Sequence, residues 1–405
     1  MILSSALLCV GVCLPLRAQV TADSCEGHDW FALRQQATMG TSLLCKGILD
    51  SAFEKRNQAE RELSEVIRNL PRSESSRRAH QVLGMMFFRK GRYRAAEQQL
   101  EEEAREELSS ESEPQSGSLF TALARFPDLT IAKDKPSVVH GETQNNNLFL
   151  PVTVNGVSGF YIADSGANIS IMCESEARRL GLSVDRTDTK LWGAGAMQSA
   201  YGVKVVDAAN LWIGRTHLRH VAFLVIPDSS MPFVELPEGH KGILGIPVLI
   251  ALRSIRLDKG GVVEIHPAEA ANGQELPLAF DDAMPVTQMS MDGKAMSFTF
   301  DTGADTTYLY GTFAALFPEL METGSRQESA VRGFAGNANE ESVELPSLKF
   351  SLGREVELKP ARVLLKGSVT AGNGWAAGNL GFDLISQAIP ITIDFQAMRL
   401  IVEAP

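Results

Sequence analysis

The first third of the chain carries its apolar residues at helical spacing. From Trp30 to about Glu107 the sequence is rich in Ala, Leu, Glu, Arg and Gln and contains no run of β-branched residues, which favours helices over strands. A short turn at Lys90, Gly91 and Arg92 separates two of the expected helices. We therefore predict a helical domain over residues 19–108.

The pattern changes after a polar segment. Residues 109–117 (SSESEPQSG) lack large apolar side chains, and we predict a linker over residues 109–127. Beyond it, short β-rich runs such as residues 148–154 (LFLPVTV) and 220–226 (HVAFLVI) alternate with Asn-Gly, Asp-Gly and Gly-Gly turns. The C-terminal two thirds of the chain is therefore predicted to be mainly β.

The β-rich region repeats itself once. Residues 160–168 (FYIADSGAN) in the first copy correspond to residues 298–305 (FTFDTGAD) in the second. A Gly-x-Leu-Gly motif then follows each aspartate at nearly the same interval, at residues 242–245 and 378–381. This duplication predicts two lobes related by an approximate two-fold axis. We assign the first lobe to residues 128–266 and the second to residues 267–405.

Composition and charge exclude several classes of protein. The 405 residues are 44% hydrophobic and 21% charged, which is typical of globular proteins and argues against disordered or coiled-coil chains. The formal net charge of -11 argues against nucleic acid as a partner, because a phosphate backbone attracts basic surfaces. No Cys-x-x-Cys or His-rich spacing suggests a metal, and we expect neither a metal nor another cofactor.

The N-terminus and the cysteines bear on localisation. Residues 1–18 form an apolar run that ends in Leu-Arg-Ala, as in a signal peptide, although no Lys or Arg precedes it. We expect an exported protein, periplasmic or secreted, with anchoring in a membrane by this segment as the alternative. Export would allow a disulfide between Cys25 and Cys45, and reduced thiols are the other possibility. Cys173 has no obvious partner.

The helical domain resembles a known repeat. A single repeat cannot bury its own apolar face, so the helices near residues 30–69 should complete a small bundle. Structural packing and binding of a protein partner are both open as its role. The positions that match the spacing of a tetratricopeptide helix pair are Ala79, Leu83, Gly84, Phe87, Gly91, Tyr93, Ala96 and Leu100.

The chemistry-bearing residues lie in two short motifs, residues 164–167 (DSGA) and 301–304 (DTGA), each preceded by an apolar strand. One Asp-Thr-Gly alone could be an ordinary turn, but two copies at equivalent places in a repeat argue against that. The motifs resemble the signature of aspartic peptidases of the pepsin and retropepsin type. Residues 243–245 (ILG) and 379–381 (NLG) resemble the second motif of that family, with a polar Asn in place of one apolar residue.

This resemblance implies a mainly β fold of two aspartic-peptidase lobes with a catalytic pair, Asp164 and Asp301. Two facing carboxyls cannot both ionise, so the pair holds one proton. The ionised Asp would be the general base for a water, and the protonated one would hydrogen-bond the scissile carbonyl. Which Asp takes which role stays open, because the two titrate as a unit.

The neighbouring residues of each motif should support the pair. Gly166 and Gly303 would let the two loops approach closely, and Ser165 and Thr302 would hydrogen-bond across the axis. Retroviral members carry an Arg after the downstream Gly, where this chain has Ile246 and Phe382. We therefore do not expect the ion pair that this Arg makes between retroviral lobes.

The family also places a hairpin flap between each Asp and its downstream motif, and the flap closes over substrate. The resemblance implies flaps at residues 192–196, followed by Tyr201, and at residues 332–336; ordinary hairpins are the alternative. Asp305 lies where retropepsins contact the substrate backbone, whereas Asn168 fills that position in the first lobe. The candidate substrate-contacting residues are Gly193, Gly195, Tyr201, Gly333, Phe334 and Asp305.

These observations together predict an exported bacterial aspartic endopeptidase, active as a monomer on a peptide or protein substrate. The first alternative is a catalytically silent peptide-binding or sensor protein on the same fold, although such a protein has no need to keep two repelling carboxyls. The second alternative is a zymogen-like arrangement, in which the helical segment or residues 116–145 cover the cleft.

Overall fold

The N-terminal part of the protein is a bundle of helices. A computed structural model describes residues 25, 28–37, 40–106, 117–183, 189–192, 200–267, 272–333, 336–365 and 375–404. The predicted signal peptide, residues 1–18, lies outside the described residues. The helices of the bundle are α1 (Trp30–Gln36), α2 (Leu43–Ala52), α3 (Arg56–Asn69), α4 (Glu74–Phe88) and α5 (Tyr93–Glu106).

Local sequence explains where these helices begin and how closely they pack. Ser42 and Ser73 are N-caps whose hydroxyls accept hydrogen bonds from backbone N–H groups three residues later. A Cβ on Gly84 would lie 2.6 Å from Cγ of Leu100, so the helices α4 and α5 approach closely only because this residue is glycine. Cys25 and Cys45 form a disulfide that ties the start of the chain to α2, and Cys173 is a buried free thiol.

The predicted linker, residues 109–127, contains an ordered helix, α6 (Gly117–Leu123). Its apolar residues follow the polar run, and Leu123 is fully buried. Phe120 packs edge-on against Phe88 of α4, with 5.2 Å between the ring centroids. Burial of these side chains holds α6 against the bundle, so the polar composition describes only the first part of the predicted linker.

The rest of the chain is mainly β, as predicted. Hairpin turns at Asn155-Gly156 and Asp292-Gly293 have positive φ at both residues, which Asn-Gly and Asp-Gly adopt readily. In the described part of this region five short α-helices lie among the strands: α7 (Glu174–Arg179), α8 (Ile246–Ala251), α9 (Gly311–Leu316), α10 (Pro318–Thr323) and α11 (Phe382–Ile385). The strands that the structure describes are β1 (Thr130–Lys133), β2 (Ser137–His140), β3 (Glu142–Gln144), β4 (Asn147–Val154), β5 (Val157–Ala163), β6 (Ser170–Cys173), β7 (Thr189–Trp192), β8 (Ala200–Ala208), β9 (Leu211–Ile213), β10 (Thr216–Arg219), β11 (Val221–Ile226), β12 (Gly242–Leu244), β13 (Ser254–Leu257), β14 (Val262–Ile265), β15 (Gly273–Asp281), β16 (Met284–Met291), β17 (Lys294–Phe300), β18 (Tyr308–Leu309), β19 (Ser325–Gly333), β20 (Gly336–Leu345), β21 (Leu348–Ser351), β22 (Glu355–Leu358), β23 (Ala361–Leu364), β24 (Gly378–Leu380), β25 (Ile391–Asp394) and β26 (Arg399–Glu403).

Two lobes share one topology. The described strands form two sheets, ordered β1-β10-β9-β4-β5-β12-β6-β11-β8-β7 and β19-β20-β23-β18-β24-β17-β16-β15-β26-β25-β13-β14-β2. In the first lobe β12 runs parallel to β5 and antiparallel to β6, and in the second β24 runs parallel to β17 and antiparallel to β18. The predicted fold class, a duplicated two-lobed β structure after an N-terminal helical region, is confirmed.

The lobes are joined by continuous strand pairing. β13 of the first lobe pairs with β25 of the second, with Ile255 opposite Ile393. An apolar core beneath this junction includes Leu150, Leu257 and Leu400. The junction connects the two lobes through backbone hydrogen bonds, and β5 and β17 lie one in each of the two sheets.

The helical bundle packs on the second lobe through a buried arginine. Arg89, 2% exposed, donates from Nε to Glu54 (2.8 Å) and from Nη1 to the carbonyl of Asp282 (2.8 Å). Burial alone would raise the pKa of Glu54, but the charges of Arg89 and Lys90 hold it below its ordinary value. This ion pair therefore orders both the bundle and its contact with the β15–β16 turn.

A second contact lies beside the first. His28 hydrogen-bonds through Nδ1 to Asp281 (2.8 Å) and stacks on Trp375, with 5.4 Å between the ring centroids. The hydrogen bond to Asp281 raises the pKa of His28.

Among the described residues, no helix is both long enough and apolar enough to span a membrane.

Candidate active site

Asp164 and Asp301 lie at the ends of equivalent strands. Asp164 follows β5, and its backbone N–H donates to the carbonyl of Leu244 (3.0 Å). Asp301 follows β17, and its N–H donates to the carbonyl of Leu380 (3.0 Å). Each aspartate is therefore anchored by the downstream Gly-x-Leu-Gly motif of its own lobe. This pairing is the physical reason that the two motifs occur together in each repeat.

Ser165 and Thr302 join the two loops by reciprocal hydrogen bonds. The N–H of Ser165 donates to Oγ1 of Thr302, and the N–H of Thr302 donates to Oγ of Ser165, both at 3.0 Å. The Ser165 hydroxyl also donates to the carbonyl of Phe300, and the Thr302 hydroxyl to the carbonyl of Ala163, both at 2.7 Å. Each buried hydroxyl thus donates one hydrogen bond and accepts one, so neither hydroxyl is left without a hydrogen-bond partner.

The glycines of the two motifs bring the carboxyls together. A Cβ on Gly166 would lie 2.5 Å from Cγ of Asp301, and a Cβ on Gly303 would lie 2.1 Å from Cγ of Asp164. Any other residue would occupy the space of the opposite carboxyl. Glycine is therefore required here because of close approach, not because of backbone conformation.

The environment of the carboxyls favours a shared proton. Oδ1 of Asp164 accepts from the N–H groups of Gly166 (2.8 Å) and Ala167 (3.0 Å). Burial, followed by the negative charge of Asp301, nevertheless raises the pKa of Asp164 well above its ordinary value. A protonated Asp164 beside Asp301 is the arrangement that acid–base work on a water requires.

Asp301 has a matching backbone cradle and one additional partner. Its Oδ1 accepts from the N–H groups of Gly303 and Ala304, both at 3.0 Å. Its Oδ2 accepts from Nδ2 of Asn379 (3.1 Å), whose Oδ1 accepts in turn from the hydroxyl of Thr299 (2.5 Å). The sequence repeat gave no reason to place Thr299 in the site, and it marked Asn379 only as a departure from the family pattern.

Two further hydroxyls support the downstream motifs. The N–H of Gly245 donates to Oγ of Ser170 (3.0 Å), and that of Gly381 to Oγ1 of Thr307 (2.9 Å). Sequence reasoning missed both, although Ser170 and Thr307 stand six residues after the two aspartates and could have been found by extending the repeat. Ile246 and Phe382, which follow the two glycines, are buried apolar residues.

The predicted flaps fall on two hairpins. β7 pairs with β8, with Leu191 opposite Tyr201, and β19 pairs with β20 up to Gly333 opposite Gly336. The predicted flap residues Gly193, Gly195 and Phe334 lie outside the described residues. The role of these hairpins and of Tyr201 and Gly333 stays a prediction.

Asp305 lies where the second lobe meets the first. Its backbone carbonyl accepts from Nδ2 of Asn146 (3.1 Å), in the turn between β3 and β4. Its predicted contact with substrate stays a prediction.

Among the residues that the structure describes, no group of three or more His, Cys, Asp or Glu side chains is placed to hold a metal ion.

Comparison with known proteins agrees with this geometry. Residues 150–248 match the family model for aspartyl proteases. The match covers most of the first lobe and includes Asp164, and the second lobe repeats the same strand arrangement. The predicted resemblance to aspartic peptidases is thereby confirmed.

Two solved structures are similar to parts of the chain. One is a retropepsin-like aspartic protease from Rickettsia conorii, with 15% identity over 34% of this chain and 91% of that chain and a TM-score of 0.22. The other is Basic 7S globulin from soybean, with 11% identity over 66% of this chain and 94% of that chain and a TM-score of 0.39. A comparison with curated proteins found no match.

Proposed function

We propose that this protein is an aspartic endopeptidase that hydrolyses peptide bonds with a water activated by Asp164 and Asp301. The observation that supports this most strongly is the placement of the two carboxyls. Each follows an equivalent strand, and the Ser165–Thr302 junction locks their loops together. At Gly166 and Gly303, the carboxyl of the aspartate in the opposite loop occupies the space that a side chain would fill.

The reaction needs only these two groups and a water. The ionised carboxylate takes a proton from the water as the water oxygen bonds to the scissile carbonyl carbon. The protonated carboxyl gives its proton to the carbonyl oxygen, which forms a neutral tetrahedral intermediate. Collapse of the intermediate breaks the C–N bond, and the carboxyl that was protonated by water gives that proton to the leaving nitrogen. The other carboxyl, ionised since the first step, takes a proton back from a hydroxyl of the intermediate as the carbonyl re-forms. One proton remains on the pair, which is ready for another cycle.

The substrate in this proposal is a peptide or an unfolded protein segment, bound between the lobes. Export is the proposed setting, and the Cys25–Cys45 disulfide supports it because disulfides persist in oxidising compartments. Activity should follow a bell-shaped pH profile on the acidic side of neutrality, since the pair must be singly protonated.

Cleavage of a peptide library by the purified full chain tests the proposal. We expect internal cleavage that a statine-type transition-state mimic inhibits and that Asp164→Asn and Asp301→Asn abolish. Asp292→Asn is the matched control, because Asp292 lies exposed in the β16–β17 turn and Asn tolerates its positive φ. Binding of library peptides without cleavage would reject an endopeptidase and identify a peptide-binding protein.

A further inference from the structure

The pair of aspartates is symmetric in its backbone contacts and asymmetric in its side-chain contacts. Each Oδ1 accepts two backbone N–H bonds of 2.8–3.0 Å from its own loop. Of the described side chains outside the pair, only Asn379 hydrogen-bonds to either carboxyl, and it bonds to Asp301. The difference between the two aspartates therefore rests on this one amide.

The equivalent positions of the first lobe cannot make the same contact. Asn379 lies opposite Thr299 in the β24–β17 pairing, and Ile243 lies opposite Ile162 in the β12–β5 pairing. Both isoleucines are buried and have no polar atom to offer to Asp164. The second lobe thus carries a polar pair exactly where the first carries an apolar one.

Thr299 sets the direction of the Asn379 amide. The Thr299 hydroxyl is buried, and it donates to Oδ1 of Asn379 at 2.5 Å. With Oδ1 engaged in this way, Nδ2 is the atom that faces Oδ2 of Asp301. An N–H group that donates to a carboxyl favours its ionised form.

The geometry points to Asn379, held by Thr299, as a positioning residue that keeps the negative charge on Asp301 and the shared proton on Asp164. This inference rests on the proposed function and adds an assignment of roles to it. Asp301 is then the base that takes the proton from water, and Asp164 is the acid that donates to the carbonyl oxygen. Burial and the charge of Asp301 raise the pKa of Asp164, which acts in the same direction.

Other titratable groups near the pair do not account for the asymmetry. Asp164 faces Asp301; among the described residues, Asp305 lies four residues after Asp301 on the same loop, and Asp383 lies on α11. Asp383 accepts from the Thr307 hydroxyl (2.6 Å), and burial raises its pKa. Negative charge on Asp305 or Asp383 would oppose ionisation of Asp301, so neither can replace the Asn379 donor.

The test is the pH profile of kcat/KM for full-length variants. Asn379→Ile copies the first lobe, and we expect it to move the acidic limb upward by about one pH unit, since it removes a donor to a charged group. Thr299→Val frees the Asn379 amide to rotate, and it should move the acidic limb upward by a smaller amount. Ile243→Val is the matched control in the first lobe and should leave the limb in place.

A carboxyl-carbon NMR titration of 13C-aspartate-labelled protein gives a readout that needs no activity. In the wild type Asp301 should be the first of the two carboxyls to ionise as the pH rises. In Asn379→Ile this first ionisation should occur at a higher pH. A first ionisation at lower pH in the folded variant would overturn the inference, because it would mean that Asn379 presents its oxygen to a protonated Asp301. An unchanged first ionisation would also overturn it, because it would mean that the Asn379 amide does not affect the charge of the pair. A wild-type protein that cleaves nothing would reject the proposed function, and the NMR titration would still decide the inference.

Discussion

The two glycines beside the aspartates set the strictest limit on sequence in the site. A Cβ on Gly303 would lie 2.1 Å from Cγ of Asp164, which is far inside van der Waals contact. A methyl group there must push the carboxyl or its loop aside. The distance between the two aspartates therefore depends on a residue that has no chemistry of its own.

Gly303→Ala should reduce kcat/KM by at least about 100-fold, because displacements near 1 Å in a catalytic site have effects of that order. Gly311→Ala is the matched control, since its nearest non-neighbour is 3.7 Å from the new Cβ and it lies at the start of α9. Peptide cleavage by the two variants measures the effect. Equal activity of both would show that the carboxyls need not be this close.

The charge of Asp164 should also appear in the stability of the fold. Burial and the charge of Asp301 raise the pKa of Asp164 in the folded chain, so its ionisation costs more there than in the unfolded chain. This penalty is absent below the pKa of an unfolded Asp, about 3.9, and grows as the pH rises toward the folded value.

Asp164→Asn should therefore have a higher Tm than the wild type at neutral pH, and the gap should close as the pH falls below about 4. Thermal unfolding of both proteins over this range measures the gap. A Tm difference that did not change with pH would mean that Asp164 does not carry a raised pKa.

At the level of single residues, the sequence predicted what the repeat made visible. The two motifs could be named because Asp and Gly occur twice in equivalent places, with a hydroxyl residue, Ser or Thr, between them in each copy. Thr299 and Asn379 could not be assigned, because they break the repeat and meet only when β24 pairs with β17. Breaks in an internal repeat thus indicate where the two halves of a site differ.

Among the elements, the contact between the helical bundle and the second lobe depends on Arg89. Its guanidinium stacks 4.9 Å from the ring centre of Phe280 and hydrogen-bonds to the carbonyls of Ser51 and Asp282. Its ion-pair partner Glu54 is equally buried, with 5% of the side chain exposed. Loss of the arginine would leave that carboxylate without its main counterion.

Arg89→Met should lower the free energy of unfolding by about 3–5 kcal/mol, the usual effect of breaking a buried ion pair by removing one partner. Arg94→Met is the control, because Arg94 is exposed on α5 of the same bundle. Chemical denaturation measures both. Lys90 also pairs with Glu54, so the variant leaves this carboxylate with one counterion in place of two. Adding Glu54→Gln to Arg89→Met should restore part of the loss, whereas no restoration would show that the weaker pairing of Glu54 is not its cause.

The order of the elements was largely readable, but their long-range contacts were not. Helical spacing predicted α4, α5 and the turn between them, since apolar positions recur every turn. The helix α6 was missed because the polar run before it dominated the composition of residues 109–127. Nothing local indicates that Arg89 meets Asp282, which lies 193 residues further along the chain.

For the whole molecule, the shared sheet explains why one chain suffices for a complete site. β13 and β25 pair across the lobes, and the chain supplies both aspartates. Most of the segment considered above as a cover for the cleft, residues 116–145, pairs with the two sheets. Its strands β1, β2 and β3 pair with β10, β14 and β4. Residues 130–144 are thus largely integral strands of the two sheets.

The helical part of the chain contacts elements that border the predicted flaps. The backbone of α6 lies beside that of β7, which belongs to the hairpin that the sequence marks as the first flap. Trp375, on which His28 stacks, also packs against the apolar cluster that contains Val331 of the second hairpin. The bundle therefore contacts structure next to both predicted flaps.

Complementation between variants tests whether Asp164 and Asp301 of one chain form a single catalytic pair. Asp164→Asn chains and Asp301→Asn chains are assayed on the same peptide library, separately and as an equimolar mixture, beside the wild type diluted over a 100-fold range. We expect the wild type to cleave with a specific activity independent of dilution, and we expect no cleavage by the single variants or by their mixture. Activity restored in the mixture, or kept by either variant alone, would contradict it.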